Sequence, residues 1–568
     1  MNKKNEAISL LCPPECDPDY KKLSDVTIHD LGLPFICEQI TDKKAEQALF
    51  LSILSKMTDD PEVTRYRSDI FSDICNNQIM RDEMLKILDK INFLRDYGSI
   101  NKKYEDSASV WDLMHRMDEL KDYIHCVEAI YNSLSGADIH SEGLLNLKEY
   151  VGALYQDNGF SELQKDIKAL KAAASDLKSV TVGINLNERF EADGIGLISI
   201  NNKYFTRSNI LGNFCERIAM KDHIKSGTDW EEDYKYHPFA SNGFKKQDIF
   251  SRRGIASVPE GDMMEDIPRY MNRITDQMLS LVVKKLRNML NKYVSVTITD
   301  ITDLMPEFIY YVRFAEYIEK LSRNGMHFCK GSLALEAAKE RMMRAKGIYN
   351  LKLASVVLKE QGTIVANDLD FDVQHLVYIL TGANRGGKTT ITQAVGLLFV
   401  LAQGGIYIPG DSFSFHPVDC IYTHFPADED KTMDLGRLGE ECKRFREIYS
   451  CCTQNSLLLL NETFSTTSFE EGYFIAKDSV KAILTKGVRT IYNTHMHKLA
   501  YDIEEINRSD REEKAVSLIV KSEGGSRSFK IEAAPPEGMS YANDIARKYG
   551  VTYEMLVSEN KLSTLQPG

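Results

Sequence analysis

A phosphate-binding loop is the clearest chemical feature of this 568-residue sequence. Residues 382–389 read Gly-Ala-Asn-Arg-Gly-Gly-Lys-Thr and fit the pattern G-x-x-x-x-G-K-[ST]. The apolar run 376–380 precedes this loop and a helical pattern begins at Thr390, as a working loop requires. We therefore predict an ATP site formed by Gly382, Ala383, Asn384, Arg385, Gly386, Gly387, Lys388, Thr389 and Thr390.

The residue types in this loop suit a nucleotide with magnesium. Gly382, Gly386 and Gly387 allow backbone amides to turn toward an anion, and the following helix adds its positive end. Lys388 is expected to reach the β- and γ-phosphates. Thr389 is predicted to supply a hydroxyl ligand to Mg²⁺, so ATP and Mg²⁺ are the expected cofactors.

A second apolar run, 457–460, ends in Asn461-Glu462. Phosphate-loop ATPases place a magnesium-directing acid and a water-polarising acid at such a strand end. Glu462 is therefore the predicted general base. Asn461 is the predicted partner of the metal, but an amide brings an oxygen without a negative charge, so we expect slow hydrolysis.

A third apolar run, 488–492, ends in Asn493-Thr494-His495. The imidazole of His495 would stand at the carboxyl end of a strand, where the γ-phosphate is expected. We predict that His495 senses this phosphate and acts with Glu462 in catalysis.

The elements that must position these residues follow from apolar periodicity. Residues 25–177 show the three-and-four spacing of helices, and residues 180–259 show short alternations that indicate a partly β insertion. Helical spacing returns over residues 263–324, in two long helices broken near 297–302. The final third alternates apolar strands with helices, which predicts an α/β domain with a parallel sheet.

Length and composition bound the class of protein. The chain is long enough for two or three domains, and 43% hydrophobic with 27% charged residues is typical of a soluble globular protein. The formal charge of −13 argues against coating of nucleic acid by bulk charge. We find no membrane-length apolar stretch and no signal sequence, and 11 scattered cysteines fit reduced thiols, so a cytoplasmic location is expected.

Three motifs together resemble the ATPase signatures of the MutS mismatch-repair family: residues 381–389, Asn461-Glu462 with Thr467-Ser468, and residues 493–495. The similarity covers residues 365–557, with weaker likeness upstream to the lever and clamp core. The family patterns are T-G-P-N-x-G-G-K-[ST], D-E with a glycine-rich stretch, and A-T-H. The residues that depart from them are Ala383, Asn461, Phe464, Thr466 and Asn493.

The resemblance implies a multidomain fold, with a mainly α-helical lever and clamp region before an α/β ABC-type P-loop ATPase domain with a mostly parallel sheet. The implied domains are an extension at 1–24, a helical core at 25–346 with a clamp-like insertion at about 180–262, an ATPase domain at 347–562 and a tail at 563–568. The family's mismatch-reading domain and nuclease tail are expected to be missing.

The implied function is an ATP-dependent clamp ATPase that binds mismatched or otherwise unusual DNA in mismatch repair or recombination, as a homodimer joined through the ATPase domain. Predicted DNA contacts are Lys245, Lys246, Arg252 and Arg253, although acidic residues in the same span would repel phosphate. The family's Ser-Thr-Phe segment should fall near residues 434–441, which lack Ser and Thr, and Arg437 could substitute electrostatically.

Two other classes compete with this interpretation. A nucleotide-gated protein-interaction switch, with little hydrolysis and no direct DNA recognition, is favoured by Asn461 and by the acidic charge. A small-molecule kinase using the same loop is disfavoured, because Glu462 and His495 are arranged as in hydrolases and no acceptor lid is evident.

Overall fold

Two compact units make up the chain in the computed structural model. The first contains residues 1–82, 137–147 and 304–568, and the second contains residues 83–136 and 148–303. The structure describes residues 9–97, 110–174, 179–186, 188–189, 192–201, 255–257, 284, 288–290, 299–334, 342–360, 363–382, 386–426, 436–508, 512–523, 526–536, 546–547 and 549–557.

The first unit begins with short capped helices. Ser24 ends the preceding extended segment and caps α1 by accepting a hydrogen bond from Thr27 N. Asp60 caps α4 in the same way, with Pro61 at the first helical position. The elements in chain order are β1 (Lys21–Lys22), α1 (Asp25–Asp30), α2 (Leu33–Ile40), α3 (Lys44–Leu54), β2 (Lys56–Met57) and α4 (Pro61–Asn76).

Long helices and a small antiparallel sheet follow. The buried residues of α6 recur at three and four positions, as in Leu120, Val127, Ile130 and Leu134, and α6 packs on α8. Strands β3, β4 and β5 pair antiparallel in that order. The elements are α5 (Gln78–Tyr97), α6 (Val110–Gly136), α7 (Glu142–Gln156), α8 (Asn158–Ala174), β3 (Ser179–Leu186), β4 (Ala192–Asn201), β5 (Ile255–Ser257) and α9 (Thr299–Ser322).

The rest of the chain alternates strands and helices. The elements are β6 (Phe328–Cys329), β7 (Gly331–Leu333), β8 (Met343–Ile348), α10 (Leu351–Glu360), β9 (Asn367–Phe371), β10 (His375–Thr381), α11 (Lys388–Gln403), β11 (Ile408–Pro409), β12 (Ser412–Phe415), β13 (Ile421–His424), α12 (Arg437–Cys451), β14 (Leu457–Asn461), α13 (Phe469–Lys486), β15 (Arg489–Asn493), α14 (His497–Tyr501), α15 (Ile503–Ile506), β16 (Lys514–Glu523) and β17 (Ser526–Ala533).

A six-stranded sheet of order β13-β14-β15-β10-β16-β17 forms the centre of this region. All neighbouring strands are parallel except β16 and β17, which are antiparallel. A second sheet has the order β7-β12-β8-β9. The predicted fold class is thereby confirmed: helices precede an α/β region with a mostly parallel sheet.

The sheet is buried on both faces, which explains its unbroken apolar runs. Leu458 and Leu460 join the apolar cluster on the α13 side. Leu459 points the other way, because a Cβ placed on Gly396 of α11 would lie 2.8 Å from Leu459 Cδ1. The predicted strands at 376–380, 457–460 and 488–492 are confirmed to within a residue at either end.

Residues near the N-terminus hold the end of α11. The buried Arg67 donates from Nη1 to Gln403 O at 3.1 Å and from Nε to Leu11 O at 2.7 Å. Gln403 Nε2 in turn donates to Thr58 O at 2.7 Å. These contacts group the first 82 residues with the six-stranded sheet, whereas the sequence placed one boundary near residue 347. The domain bounds remain a prediction.

Within the ranges that the structure describes, no helix is both long enough and apolar enough to cross a membrane.

Candidate nucleotide site

The predicted phosphate loop joins β10 to α11. Gly382 has φ 139°, and a Cβ there would lie 3.0 Å from Val520 Cβ and 3.2 Å from Val520 N. Gly387 has φ 88° and precedes the first residue of α11. Only glycine adopts these positive φ angles without strain, which explains why glycine stands at both positions. Ala383, Asn384 and Arg385 lie outside the described residues.

Lys388 opens α11 and is only 5% exposed. Its Nζ donates to Gly382 O at 3.0 Å, so the ammonium group points back over the loop. Burial lowers the pKa of Lys388, while the nearby charge of Glu462 acts in the opposite direction. An anion bound in the loop would offset the free-energy penalty of burying the charged ammonium group, as expected of a phosphate site.

The hydroxyl of Thr389 meets two amide side chains, Asn461 and Asn493, where β14 and β15 end. We call these three residues the amide cluster. Asn461 and Asn493 are direct partners in the parallel register. Thr389 Oγ1 donates to Asn461 Oδ1 at 3.1 Å, and Asn493 Nδ2 contacts Thr389 Oγ1 at 3.4 Å. Asn493 Nδ2 also donates to Asn461 Oδ1.

The amide cluster suits magnesium in donor type but not in charge. Mg²⁺ prefers oxygen ligands, and a hydroxyl and an amide oxygen are both present. Among the described residues, no group of three or more His, Cys, Asp or Glu is placed to hold a metal ion. Thr389 and Asn461 therefore fit a cation that takes most of its charge compensation from nucleotide phosphates.

Glu462 and His495 form a second arrangement, which we call the carboxylate–imidazole pair. His495 Nδ1 donates to Glu462 Oε2 at 3.1 Å, and the two side chains are 41% and 31% exposed respectively. This hydrogen bond lowers the pKa of Glu462, and the charge of Lys388 adds to the effect. Glu462 is thus an ionised carboxylate beside the loop lysine, as a general base requires.

The turn after β14 is strained. Glu462 has φ 52° and Phe464 has φ 64°, in the left-handed region that costs about 1–2 kcal/mol for a residue with a Cβ. The ring of Phe464 is 1% exposed and packs edge-on against Phe445 at a centroid distance of 5.3 Å. Glu462 N donates to Asn493 O at 2.8 Å. Packing and this bond hold the turn against its strain.

His424 and Glu441 support the same turn and were missed by sequence reasoning. His424 Nε2 donates to Glu441 O at 3.3 Å, so its Nδ1, 3.0 Å from Thr463 Oγ1, is the acceptor in the neutral ring. Burial, aided by Arg444, lowers the pKa of His424 to about 4. Its position at the end of β13, beside β14, is the sequence signal that would have found it.

Glu441 belongs to the segment that the sequence aligned with the family's Ser-Thr-Phe signature. Its carboxylate accepts a hydrogen bond from Thr466 Oγ1 at 3.0 Å, and burial raises its pKa. Arg437 is the first residue of α12, after Gly436. The four predicted DNA contacts, Lys245, Lys246, Arg252 and Arg253, lie outside the described residues.

A glycine loop between a buried strand and a helix, at the carboxyl end of a mostly parallel sheet, defines a P-loop nucleotide-binding domain of the ABC type. Two family models match the chain: "MutS domain V" over residues 378–563 and "MutS2 N-terminal domain" over residues 59–324. The chain belongs to the MutS family, as its motifs predicted.

Curated relatives cover part of the chain. It is 30% identical over 239 residues to the DNA mismatch repair protein MutS of Methanococcoides burtonii, covering 40% of this chain and 26% of the relative. It is 30% identical over 223 residues to Endonuclease MutS2 of Caldicellulosiruptor bescii, covering 39% of this chain and 28% of the relative. The matches thus span less than a third of each relative's length.

Proposed function

We propose that this chain is a MutS-like clamp ATPase, which binds ATP with Mg²⁺ and uses its nucleotide state to change conformation on mismatched or otherwise unusual DNA. Mismatch repair or recombination is the proposed setting, in the cytoplasm. The observation that carries the proposal is the meeting of Lys388, the amide cluster and the carboxylate–imidazole pair at one end of one sheet. Membership of the MutS family supports it.

Each residue has a distinct part in the proposed chemistry. Lys388 and the loop amides bind the nucleotide phosphates. Thr389 and Asn461 would hold Mg²⁺, which when bound offsets charge on the β- and γ-oxygens. Glu462 takes a proton from the attacking water, and His495 holds the carboxylate while reporting on the γ-phosphate.

Slow turnover is part of the proposal because the amide cluster is neutral. A carboxylate at the position of Asn461 would attract both the cation and its bound water, whereas an amide oxygen offers only a dipole. Binding of ATP, more than its hydrolysis, would then favour one conformation of the clamp over another.

DNA is the proposed partner, with a second copy of the chain joined through the ATPase domain. The relatives above carry the names "DNA mismatch repair protein" and "Endonuclease". The net charge of −13 requires that any DNA contact be local, which is consistent with the predicted basic residues Lys245, Lys246, Arg252 and Arg253.

The test measures binding to perfect duplex, mismatched and branched DNA across a salt series, together with ATP turnover with and without each DNA. The double substitution Lys245→Ala with Lys246→Ala is expected to weaken binding to every DNA form and to reduce the salt slope by about 2. Lys165→Ala with Lys168→Ala removes the same charge from exposed positions of α8 and serves as the control.

A protein-interaction switch is the second candidate, and the neutral amide cluster favours it. Its distinguishing outcome is tight ATP binding with no DNA form bound at low salt. That result would refute the clamp on DNA and leave the nucleotide site in place.

A further inference from the structure

We infer that Asn493 is a positioning residue of the magnesium site. Asn493 holds the side-chain amide of Asn461 so that Asn461 Oδ1 faces Thr389. The inference rests on the proposed binding of ATP with Mg²⁺. Asn461 presents either an oxygen or an NH₂ group to its neighbours, depending on a half-turn of its side-chain amide.

Two donors converge on one oxygen atom of Asn461. Thr389 Oγ1 donates to Asn461 Oδ1 at 3.1 Å, and Asn493 Nδ2 donates to the same oxygen. The parallel register places residues 461 and 493 side by side on adjacent strands, so the second donor is fixed by the sheet. If the amide of Asn461 turned over, its NH₂ group would face the NH₂ group of Asn493, donor against donor, whereas the hydroxyl of Thr389 could rotate and accept from it.

The orientation of Asn493 leaves one of its own polar atoms without a hydrogen bond. Its side chain is fully buried, and its own Oδ1 has no hydrogen-bond partner. A turned Asn493 would set its oxygen against Asn461 Oδ1, so the observed orientation is the one that serves Asn461. A buried carbonyl without a partner is unfavourable, and it is retained here beside the nucleotide loop.

The orientation matters because residue 461 is neutral. Asn461 Oδ1 accepts the hydroxyl hydrogen of Thr389, which leaves a lone pair of Thr389 Oγ1 for the cation. An NH₂ group in the same place would donate to Thr389 Oγ1 and turn the hydroxyl hydrogen toward the cation. A carboxylate has two equivalent oxygens and needs no such control. Asn493 therefore has a specific task only while residue 461 is Asn, which couples the two amides.

The experiment is a cycle of four proteins: the unchanged chain, Asn493→Ala, Asn461→Asp and the double variant. The affinity of each for a fluorescent ATP analogue is measured in EDTA and across a Mg²⁺ series. With Asn at position 461, Asn493→Ala is expected to raise the Mg²⁺ concentration for half-maximal effect about tenfold. With Asp at position 461, the same change is expected to shift it by less than about twofold.

Affinity in EDTA checks that each variant folds and keeps its loop, and Asn493→Ser, polar but too short to reach Asn461, is measured in both backgrounds as a second variant. Equal effects of the Asn493 substitutions in both backgrounds would overturn the inference and leave ATP binding untouched. Binding of the analogue by the unchanged chain without any response to Mg²⁺ would also overturn the inference and leave ATP binding untouched. Failure of the unchanged chain to bind the analogue would refute the proposed function as well.

Discussion

The two halves of the nucleotide site differ in burial. Asn461 and Asn493 are 6% and 0% exposed, whereas the side chains of Glu462 and His495 are 31% and 41% exposed. The buried half is fixed by the register of β14 and β15, since its residues are direct strand partners. The exposed half depends on a turn with two left-handed residues.

From this difference we expect substitutions in the two halves to act separately on ATP binding and on ATP hydrolysis. Register in a sheet covered on both faces is strongly specified, so the groups proposed to hold the nucleotide and its cation have little freedom. Glu462 and His495 hold each other through one hydrogen bond at the edge of solvent. We expect substitutions in the buried half to alter affinity, and substitutions in the exposed half to alter turnover.

Lys388→Ala gives the largest expected effect. It removes the buried ammonium from the loop and should abolish measurable ATP binding, and with it turnover. Equilibrium binding of a fluorescent ATP analogue measures the loss. Lys498→Ala, which removes an exposed lysine from α14, should bind normally. Retained binding in Lys388→Ala would remove this residue from the site.

Glu462→Gln tests the exposed half. Turnover should fall by about 10²–10³-fold because the proton acceptor is lost, with ATP affinity nearly unchanged. Steady-state turnover and equilibrium binding are measured on the same preparation. Glu470→Gln, at an exposed position in the first turn of α13, is the matched control. Normal turnover in Glu462→Gln would exclude the assignment as general base.

The turn itself is tested at Phe464. Phe464→Ala should lower the free energy of unfolding by about 3–5 kcal/mol through lost packing. Phe464→Gly should be more stable than Phe464→Ala by about 1 kcal/mol, because glycine tolerates the left-handed φ. Denaturant unfolding followed by fluorescence measures both.

Phe445 provides a control of opposite sign. It packs against Phe464 from the middle of α12, where alanine favours the helix and glycine does not. Phe445→Gly should therefore be less stable than Phe445→Ala by about 1 kcal/mol. The same order at both positions would contradict the strained turn.

His424 sharpens the comparison through pH. Its pKa is lowered from 6.5 to about 4, so the unfolded chain binds a proton between these values and the folded chain does not. Stability is therefore lost as the pH falls, by about 2 kcal/mol between pH 7 and pH 5. His424→Gln should lack this part of the pH dependence in urea unfolding. The exposed His140→Gln should retain it.

The sequence predicted the strand ends well and their side-chain contacts poorly. Apolar runs predicted β14 and β15, and the carboxyl ends of parallel strands meet at one edge, so Asn461 and His495 were expected at the edge that carries the loop. In the structure Asn461 contacts Thr389, and His495 contacts Glu462. Register and side-chain rotamer set which atom faces which, and neither follows from an apolar pattern. The sequence therefore marked Asn493 as a departure without showing its bond to Asn461.

The division of the chain was also beyond the sequence pattern. An apolar stripe shows that α1 and α4 bury one face, but not which partner covers it. Phe464 was likewise noted only as a departure from a glycine-rich stretch. Its left-handed φ goes with the packing of its ring against Phe445, and a sequence pattern shows neither of these features.

The bonds of Arg67 and Gln403 have a practical consequence for dissecting the molecule. A fragment starting at residue 347 would lose the hydrogen bonds from Gln403 to Thr58 O and from Gln393 to Asp30 O. It would also expose the side of α11 that Leu31 covers. Such a piece should aggregate when expressed alone. The compact unit that carries the nucleotide site is formed by residues 1–82, 137–147 and 304–568, so a fragment that preserves it has to join three separate stretches of the chain.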